Sequence, residues 1–246
     1  MALNLSILYR GPLSSCNYGC DYCPFAKRRE TAAELDHDRQ ALARFVDWVA
    51  KRTDDRIGVL FTPWGEALTR SWYREALIRL SHLGHVDRAV AQTNLACGLN
   101  WVERCDKTKL ALWTTFHPSQ VSRADFLARC QELDRRAVRF SVGVVGLREN
   151  LHEIESLRAE LPSSIYVWIN AYKPGLGDLT SKDAERFERV DPLYPINTVR
   201  HPSLGKACRT GRSVISVDGD GTVRRCHFVR EPIANLYESG FEAALV

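Results

Sequence analysis

No apolar run in this 246-residue chain approaches the ~18 residues that a membrane-crossing helix needs. Residues 1–9 carry no basic cluster ahead of an apolar stretch, so a secretory signal is not expected there. The formal charge is only +4 and dispersed, and the short basic runs Lys27-Arg28-Arg29, Arg135-Arg136 and Arg224-Arg225 read as solvated surface. Charge therefore gives no reason to expect a nucleic-acid partner. Internal repeats and low-complexity tracts are absent. Also missing is a second C-x2-C pair near the first group of cysteines, which a closed four-ligand zinc site would ask for. What remains is a globular composition, 45% hydrophobic and 26% charged, sized for one large domain or one domain with a small appendage.

Periodicity then alternates between strand-like and helix-like segments. Strands are predicted over 5–10, 56–62, 88–93, 110–117, 138–145 and 166–172. Helical stripes join Leu42, Phe45, Val46 and Val49; Phe126, Leu127, Cys130 and Leu133; and Leu151, Ile154, Leu157 and Leu161. Ser122 followed by Asp125 predicts a capping box opening the second of these. Six strands, each followed by a helix, predict an α/β fold, a partial (β/α)6 TIM-like barrel over 1–190 with its chemistry at the carboxyl ends of the strands. Composition shifts near Val190. The Pro-rich stretch beyond it predicts an extended linker, and 213–217 and 222–228 around Asp218-Gly219-Asp220-Gly221 predict a β-hairpin. Residues 191–246 are thus expected to form a linker and a small C-terminal β appendage, too short to stand without docking or a metal.

The most informative stretch is Cys16-Asn17-Tyr18-Gly19-Cys20-Asp21-Tyr22-Cys23. Three thiolates on one loop can ligate three irons of a 4Fe–4S cubane, leaving the fourth iron open to an external ligand. This C-x3-C-x2-C spacing, with Tyr22 ahead of the last cysteine, resembles the signature of the radical S-adenosylmethionine (SAM) superfamily. The resemblance implies that Cys16, Cys20 and Cys23 hold a 4Fe–4S cluster whose open iron is chelated by SAM. An electron from the cluster then yields a 5′-deoxyadenosyl radical that abstracts hydrogen from substrate.

Further motifs lie where predicted strands end. Trp64-Gly65-Glu66-Ala67 resembles the superfamily's Gly-Gly-Glu-Pro motif for the SAM amino group, with Trp64 in place of the first glycine and Ala67 in place of proline. Val142 to Glu149 partly resembles Gly-x-Ile-x-Gly-x-x-Glu, in which Val144 would pack on adenine; a buried parallel strand explains the same residues. Tyr22, Gly65, Glu66, Asn94, Thr115 and Val144 are accordingly expected to place SAM. His117 and Cys97 are the candidates for substrate-side chemistry, with a capping or loop role as the alternative for each, and Asn170, Tyr172 and Lys173 end the sixth strand. Cys208 and Cys226, with Gly221 in a Gly-x4-Cys arrangement, resemble the opening of the SPASM and Twitch auxiliary-cluster modules. No cysteine follows Cys226, so a second iron–sulfur cluster would need other donors, such as His227 or Cys97, and buried thiols or a zinc half-site explain the pair equally well. Cys105 and Cys130 fall on apolar stripes and are expected in the core.

Eight cysteines, three of them at cluster spacing, point to a reducing, cytoplasmic setting rather than a disulfide framework. The resemblance implies a peptide or small-metabolite substrate and an external electron donor such as flavodoxin or ferredoxin. Two other readings stay open at this point: RNA modification by the same chemistry, and a non-catalytic scaffold stabilised by a metal.

Overall fold

The computed structural model describes residues 2–25, 28–203 and 205–245; Lys27, which opens the first basic run, lies outside them. In chain order the elements are β1 (Asn4–Arg10), α1 (Ala32–Lys51), β2 (Arg56–Phe61), α2 (Ser71–Ser81), β3 (Val86–Thr93), β4 (Leu110–Phe116), α3 (Arg123–Arg135) and β5 (Arg139–Gly146). There follow α4 (Leu151–Glu160), β6 (Val167–Ala171), α5 (Ser181–Val190), α6 (Tyr194–Thr198), β7 (Val214–Asp218), β8 (Thr222–Arg224) and β9 (Pro232–Asn235). The chain divides into two units, Met1–Ala111 with Ala207–Val246, and Leu112–Lys206. No helix among the described residues is long and apolar enough to cross a membrane.

The first unit is built on strands in the order β3-β2-β1-β7-β8-β9. β1 pairs in parallel with β2 on one side and with β7 on the other, the latter running from Ser6↔Val214 to Arg10↔Asp218. The period of two is visible in β1. Leu5, Ile7 and Tyr9 are buried, and Tyr9 stacks on Phe45 of α1 at 4.4 Å, so Leu8 and Arg10 lie on the opposite face. α1 opens on a reciprocal capping box between Thr31 and Glu34 and buries the expected stripe of Leu42, Phe45, Val46 and Val49. The C-terminal segment docks by adding β7 to the β1 edge, and β8 and β9 continue from it as antiparallel strands. The hairpin's second strand is shorter than 222–228: the ladder shifts register between Val223 and Arg224, and β8 ends there.

The second unit carries the order β4-β5-β6, with β5 and β6 parallel from Val142↔Val167 to Gly146↔Ala171. One face is covered by helices: Phe116 meets Phe126 of α3, and Gly146 approaches Ile169 of β6 and Tyr194 of α6. The other face carries Trp113 against Trp168 at 5.0 Å, with Gly143 beneath, where a Cβ would meet the Trp168 ring at 2.2 Å. Ser122 caps α3 by accepting from the Asp125 N–H, and its hydroxyl donates to the Asp125 carboxylate at 2.6 Å, so the reciprocal arm of the box goes to the hydroxyl. The stretch after Val190, expected as an extended linker, contains the short helix α6. Asp191 organises it by accepting from Tyr166 Oη, Ile169 N–H and Leu193 N–H at 2.7–3.0 Å.

Candidate functional site

The cysteine loop leaves β1 through residues 11–15, and two carboxylates hold that stem. Asp38, buried on α1, accepts from the Leu13 N–H (3.1 Å), Trp72 Nε1 (2.7 Å) and Tyr73 Oη (3.0 Å). Burial pushes its pKa up against the pull of these three donors. Glu30 accepts from the N–H groups of Ser14 and Ser15 and from the Ser14 hydroxyl. Partial burial acts upward on this carboxyl, but the hydrogen bonds from Ser15 and Ser14 hold it below its ordinary value. The basic groups here serve the protein's own contacts, Arg28 pairing with Glu34 at 2.7 Å and Arg70 donating to the Ser15 hydroxyl at 2.8 Å.

Residues after β2 form the other side of the stem. Gly65 N–H donates to the Leu13 carbonyl (3.2 Å) and Glu66 N–H to the Ser15 carbonyl (3.0 Å). The backbones approach so closely that a Cβ on Gly65 would stand 2.0 Å from the Ser15 carbonyl oxygen. Glycine is required here by the protein's own chain. Glu66 is buried, and its carboxylate accepts from Thr93 Oγ1 (2.7 Å), Leu68 N–H (3.1 Å) and Asn94 N–H (2.7 Å). Burial raises its pKa, and the three hydrogen bonds oppose the rise. Asn94, just past β3, extends the chain of contacts: Nδ2 donates to Asn17 Oδ1 at 2.9 Å and lies 3.7 Å from Cys16 Sγ. Its Oδ1 accepts from the Ala96 N–H at 3.0 Å, while Leu95 adopts a positive φ of 61°. The ends of β1, β2 and β3 are thus tied to one another through Gly65, Glu66 and Asn94, and the tie ends on the first cysteine.

None of the eight cysteines is in a disulfide. Cys20 is buried and Cys16 and Cys23 are half-buried. Cys16 Sγ receives the Tyr18 N–H at 3.4 Å, and burial raises its pKa, with the Glu66 carboxylate and the other two cysteines acting in the same direction. Burial also drives the Tyr22 phenol upward, and it hydrogen-bonds Cys20. Cys97 lies half-buried three residues beyond Asn94. Among the described residues, no group of three or more His, Cys, Asp or Glu side chains is placed to hold a single metal ion. A cubane asks for something different, one soft thiolate per iron around a shared cluster. Three thiols on one loop, outside any disulfide, with amide donors directed at sulfur, fit that group.

The remaining candidates lie in the second unit. Thr115 shares the Trp113 face of β4, and its buried Oγ1 has no hydrogen-bond partner. His117 follows directly, its pKa lowered to about 4 by burial. Val144 is buried in register with Ile169, on the helix-covered face and opposite Gly143 and Trp168. Asn170 is exposed on β6, and Tyr172 and Lys173 follow that strand. Cys105 and Cys130 are in the core, where burial pushes their thiols up to about 11 and about 12. Cys208 is exposed and accepts from the Thr210 hydroxyl at 3.0 Å, which lowers its pKa; Cys226 is half-buried.

Sequence reasoning passed over Asp38, Glu30 and Thr93. Asp38 had a readable signal, because it lies four residues before Leu42 on the buried stripe, where a carboxylate needs dedicated donors.

With this geometry in hand, the chain can be set beside known proteins. No family model and no curated protein sequence matches it. Solved structures do. It aligns with anSMEcpe with bound AdoMet at a TM-score of 0.60 and 14% identity, covering 98% of this chain and 79% of that one. Native anSMEcpe with bound AdoMet and the Cp18Cys peptide gives 0.59 at 15% identity, over 98% and 82%. SuiB of Streptococcus suis, bound to S-adenosylmethionine, gives 0.61 at 12% identity, and this chain spans 66% of its length. These neighbours are radical SAM enzymes, and the chain has their fold, an α/β partial barrel.

Proposed function

We propose that this protein is a radical SAM enzyme in which Cys16, Cys20 and Cys23 carry a 4Fe–4S cluster. The observation that supports it most is the cysteine loop itself. Its C-x3-C-x2-C spacing sits after β1 of this fold, and its stem is bound to the ends of β2 and β3 through Gly65, Glu66 and Asn94. When bound and reduced by an external donor such as flavodoxin or ferredoxin, the cluster supplies one electron that splits SAM into methionine and a 5′-deoxyadenosyl radical able to abstract hydrogen.

The chain's own residues do the holding. Glu66 fixes Asn94 and Thr93 through two of its three hydrogen bonds, and Asn94 in turn holds Asn17 inside the loop. Gly65 and Glu66 lock the stem, so the three thiols are presented on a preorganised segment rather than on a free loop. Tyr22 shields Cys20. On the strength of the resemblance, Thr115 is proposed as a SAM contact and Cys97 and His117 as substrate-side groups; Val144, buried on the opposite, helix-covered face, packs the sheet against its helices instead. In this reading residues 1–190 form the catalytic part and 191–246 its appendage, working in the cytoplasm. A peptide substrate is favoured over a small metabolite because anSMEcpe, of the same fold, was solved with a peptide. Cys208 and Cys226 remain the candidates for an auxiliary cluster.

The test compares single variants after anaerobic reconstitution. Cys16→Ala, Cys20→Ala and Cys23→Ala should each abolish the cluster's visible absorbance and the cleavage of SAM. Cleavage retained by any of the three refutes the assignment.

A further inference from the structure

A cavity of about 470 Å³ opens in the first unit, where β1 and β7 end side by side with Arg10 opposite Asp218. The carboxyl ends of adjacent parallel strands are the usual place for a ligand in an open α/β sheet. Arg10, Trp64, Asp218, Asp220, Arg224 and His227 line it. The Arg10 guanidinium lies 4.4 Å above the Trp64 ring, and Trp64 packs on Phe25 at 4.6 Å. Cys23 Sγ donates to the Phe25 carbonyl at 3.5 Å, so the segment of the third cysteine backs the Trp64 wall of the cavity.

The polar groups facing this space do not balance. Asp218 already accepts from Arg224 Nε at 3.0 Å, and Asp220 from the Thr222 N–H at 2.9 Å. Arg10 Nε and His227 Nδ1 are both buried without a hydrogen-bond partner. The acids have their donors, whereas a guanidinium nitrogen and an imidazole nitrogen have nothing to bind. Buried polar groups are normally satisfied, so the cavity is short of an acceptor for Arg10 Nε, and the Nδ1–H tautomer of His227 would donate to the same acceptor. An oxyanion matches the planar guanidinium best, and the indole that holds Arg10 flat supplies an apolar wall for whatever carries the anion. Trp64 stands where the superfamily pattern has a glycine, so this wall is a feature of the present chain.

We infer that this cavity is an anion-binding site in which Arg10 and His227, backed by Trp64, recognise a carboxylate or phosphate group of the substrate. Naming the occupant a substrate rests on the radical SAM reading; recognition of the anion does not. The experiment therefore needs neither the cluster's activity nor SAM.

The full-length protein as isolated, labelled with 5-fluorotryptophan, is titrated at constant ionic strength with N-acetylglycine, N-acetylglycinamide and inorganic phosphate. The Trp64 resonance is assigned by Trp64→Phe. A saturable Trp64 shift with an anion and none with the neutral amide is expected, weakened at least about tenfold in Arg10→Gln and also weakened in His227→Gln. Tighter saturation by N-acetylglycine identifies the anion as a carboxylate, tighter saturation by phosphate as a phosphate ester. Should the other tryptophan resonances show Arg10→Gln to be misfolded, His227→Gln decides alone. A flat Trp64 response to both anions, an equal response to the amide, or unchanged binding in the folded variants overturns the site. Loss of the site with SAM cleavage intact would leave the proposed function standing, and the reverse result would leave the site standing.

Discussion

Replacing Gly65 with alanine is the sharpest structural perturbation the cysteine loop offers. The new Cβ would lie 2.0 Å from the Ser15 carbonyl oxygen, 2.7 Å from its carbonyl carbon and 2.8 Å from its nitrogen, all backbone atoms that no rotamer change can move. Reaching even a 3.0 Å contact requires the two segments to part by about 1 Å. That separation breaks or weakens the bonds from Gly65 N–H to Leu13 and from Glu66 N–H to Ser15. Two backbone hydrogen bonds at about 0.5–1.5 kcal/mol each, with about 1–3 kcal/mol of overpacking, put the local cost near 2–6 kcal/mol. The cost falls on the stem, so the first readout is iron retained after anaerobic reconstitution and desalting, which should drop well below the roughly four irons of a cubane. Hydrogen exchange should show residues 13–16 opening faster. Gly19→Ala is the control: it changes a residue between the cysteines whose Cβ would meet nothing within 4 Å, and it should keep its iron. Equal iron content and exchange protection in Gly65→Ala and the unmodified protein would refute the reasoning.

Two other outcomes follow from buried titrating groups. His117 has a folded pKa near 4 against about 6.5 unfolded, so the folded state binds fewer protons between those values and stability falls as pH drops through that window. The loss between pH 7 and pH 5 is about 2 kcal/mol at most, read as a shift in urea midpoint, and His117→Asn should remove it; an unchanged pH slope in the variant would contradict the placement. Alkylation of the metal-free folded protein near pH 8 should modify Cys208 first, because it is exposed and its pKa is lowered by the Thr210 hydroxyl. Cys105 and Cys130, buried and raised to about 11 and about 12, should react last, and peptide mass mapping that finds Cys130 early would contradict the packing of α3.

The parts of the fold written locally in the chain were legible. The six barrel strands lie within two residues of their expected bounds because each is a short, largely apolar run of strand length. The stripes of α1, α3 and α4 are buried as their 3.6-residue spacing predicted. What pairs across long separations was not legible. The parallel addition of β7 to β1 joins residues some two hundred positions apart, and neither strand's pattern names its partner. β9 was missed, and no apolar stripe was read for α2 or α5, although Thr180 and Asp183 form a capping box that marks the start of α5.

The candidate site divides in the same way. The cysteines are a motif and can be read directly. The stem that positions them depends on Asp38, Glu30 and the Gly65–Ser15 approach, which are contacts between segments. Gly65 is instructive, since the resemblance assigns it to a ligand while its immediate neighbour is the backbone of Ser15. In the second unit, strand parity puts Val144 beside Ile169 on the helix-covered face, a consequence of β5–β6 register that the isolated motif does not carry.

The central claim is most directly tested by anaerobic reconstitution of the full chain, followed by iron and sulfide analysis and by measurement of 5′-deoxyadenosine released from SAM in the presence of a strong reductant. The account predicts about four irons per chain with deoxyadenosine formed, and about eight irons if Cys208 and Cys226 help to hold an auxiliary cluster. Zinc bound in place of iron, with no deoxyadenosine formed, would contradict it.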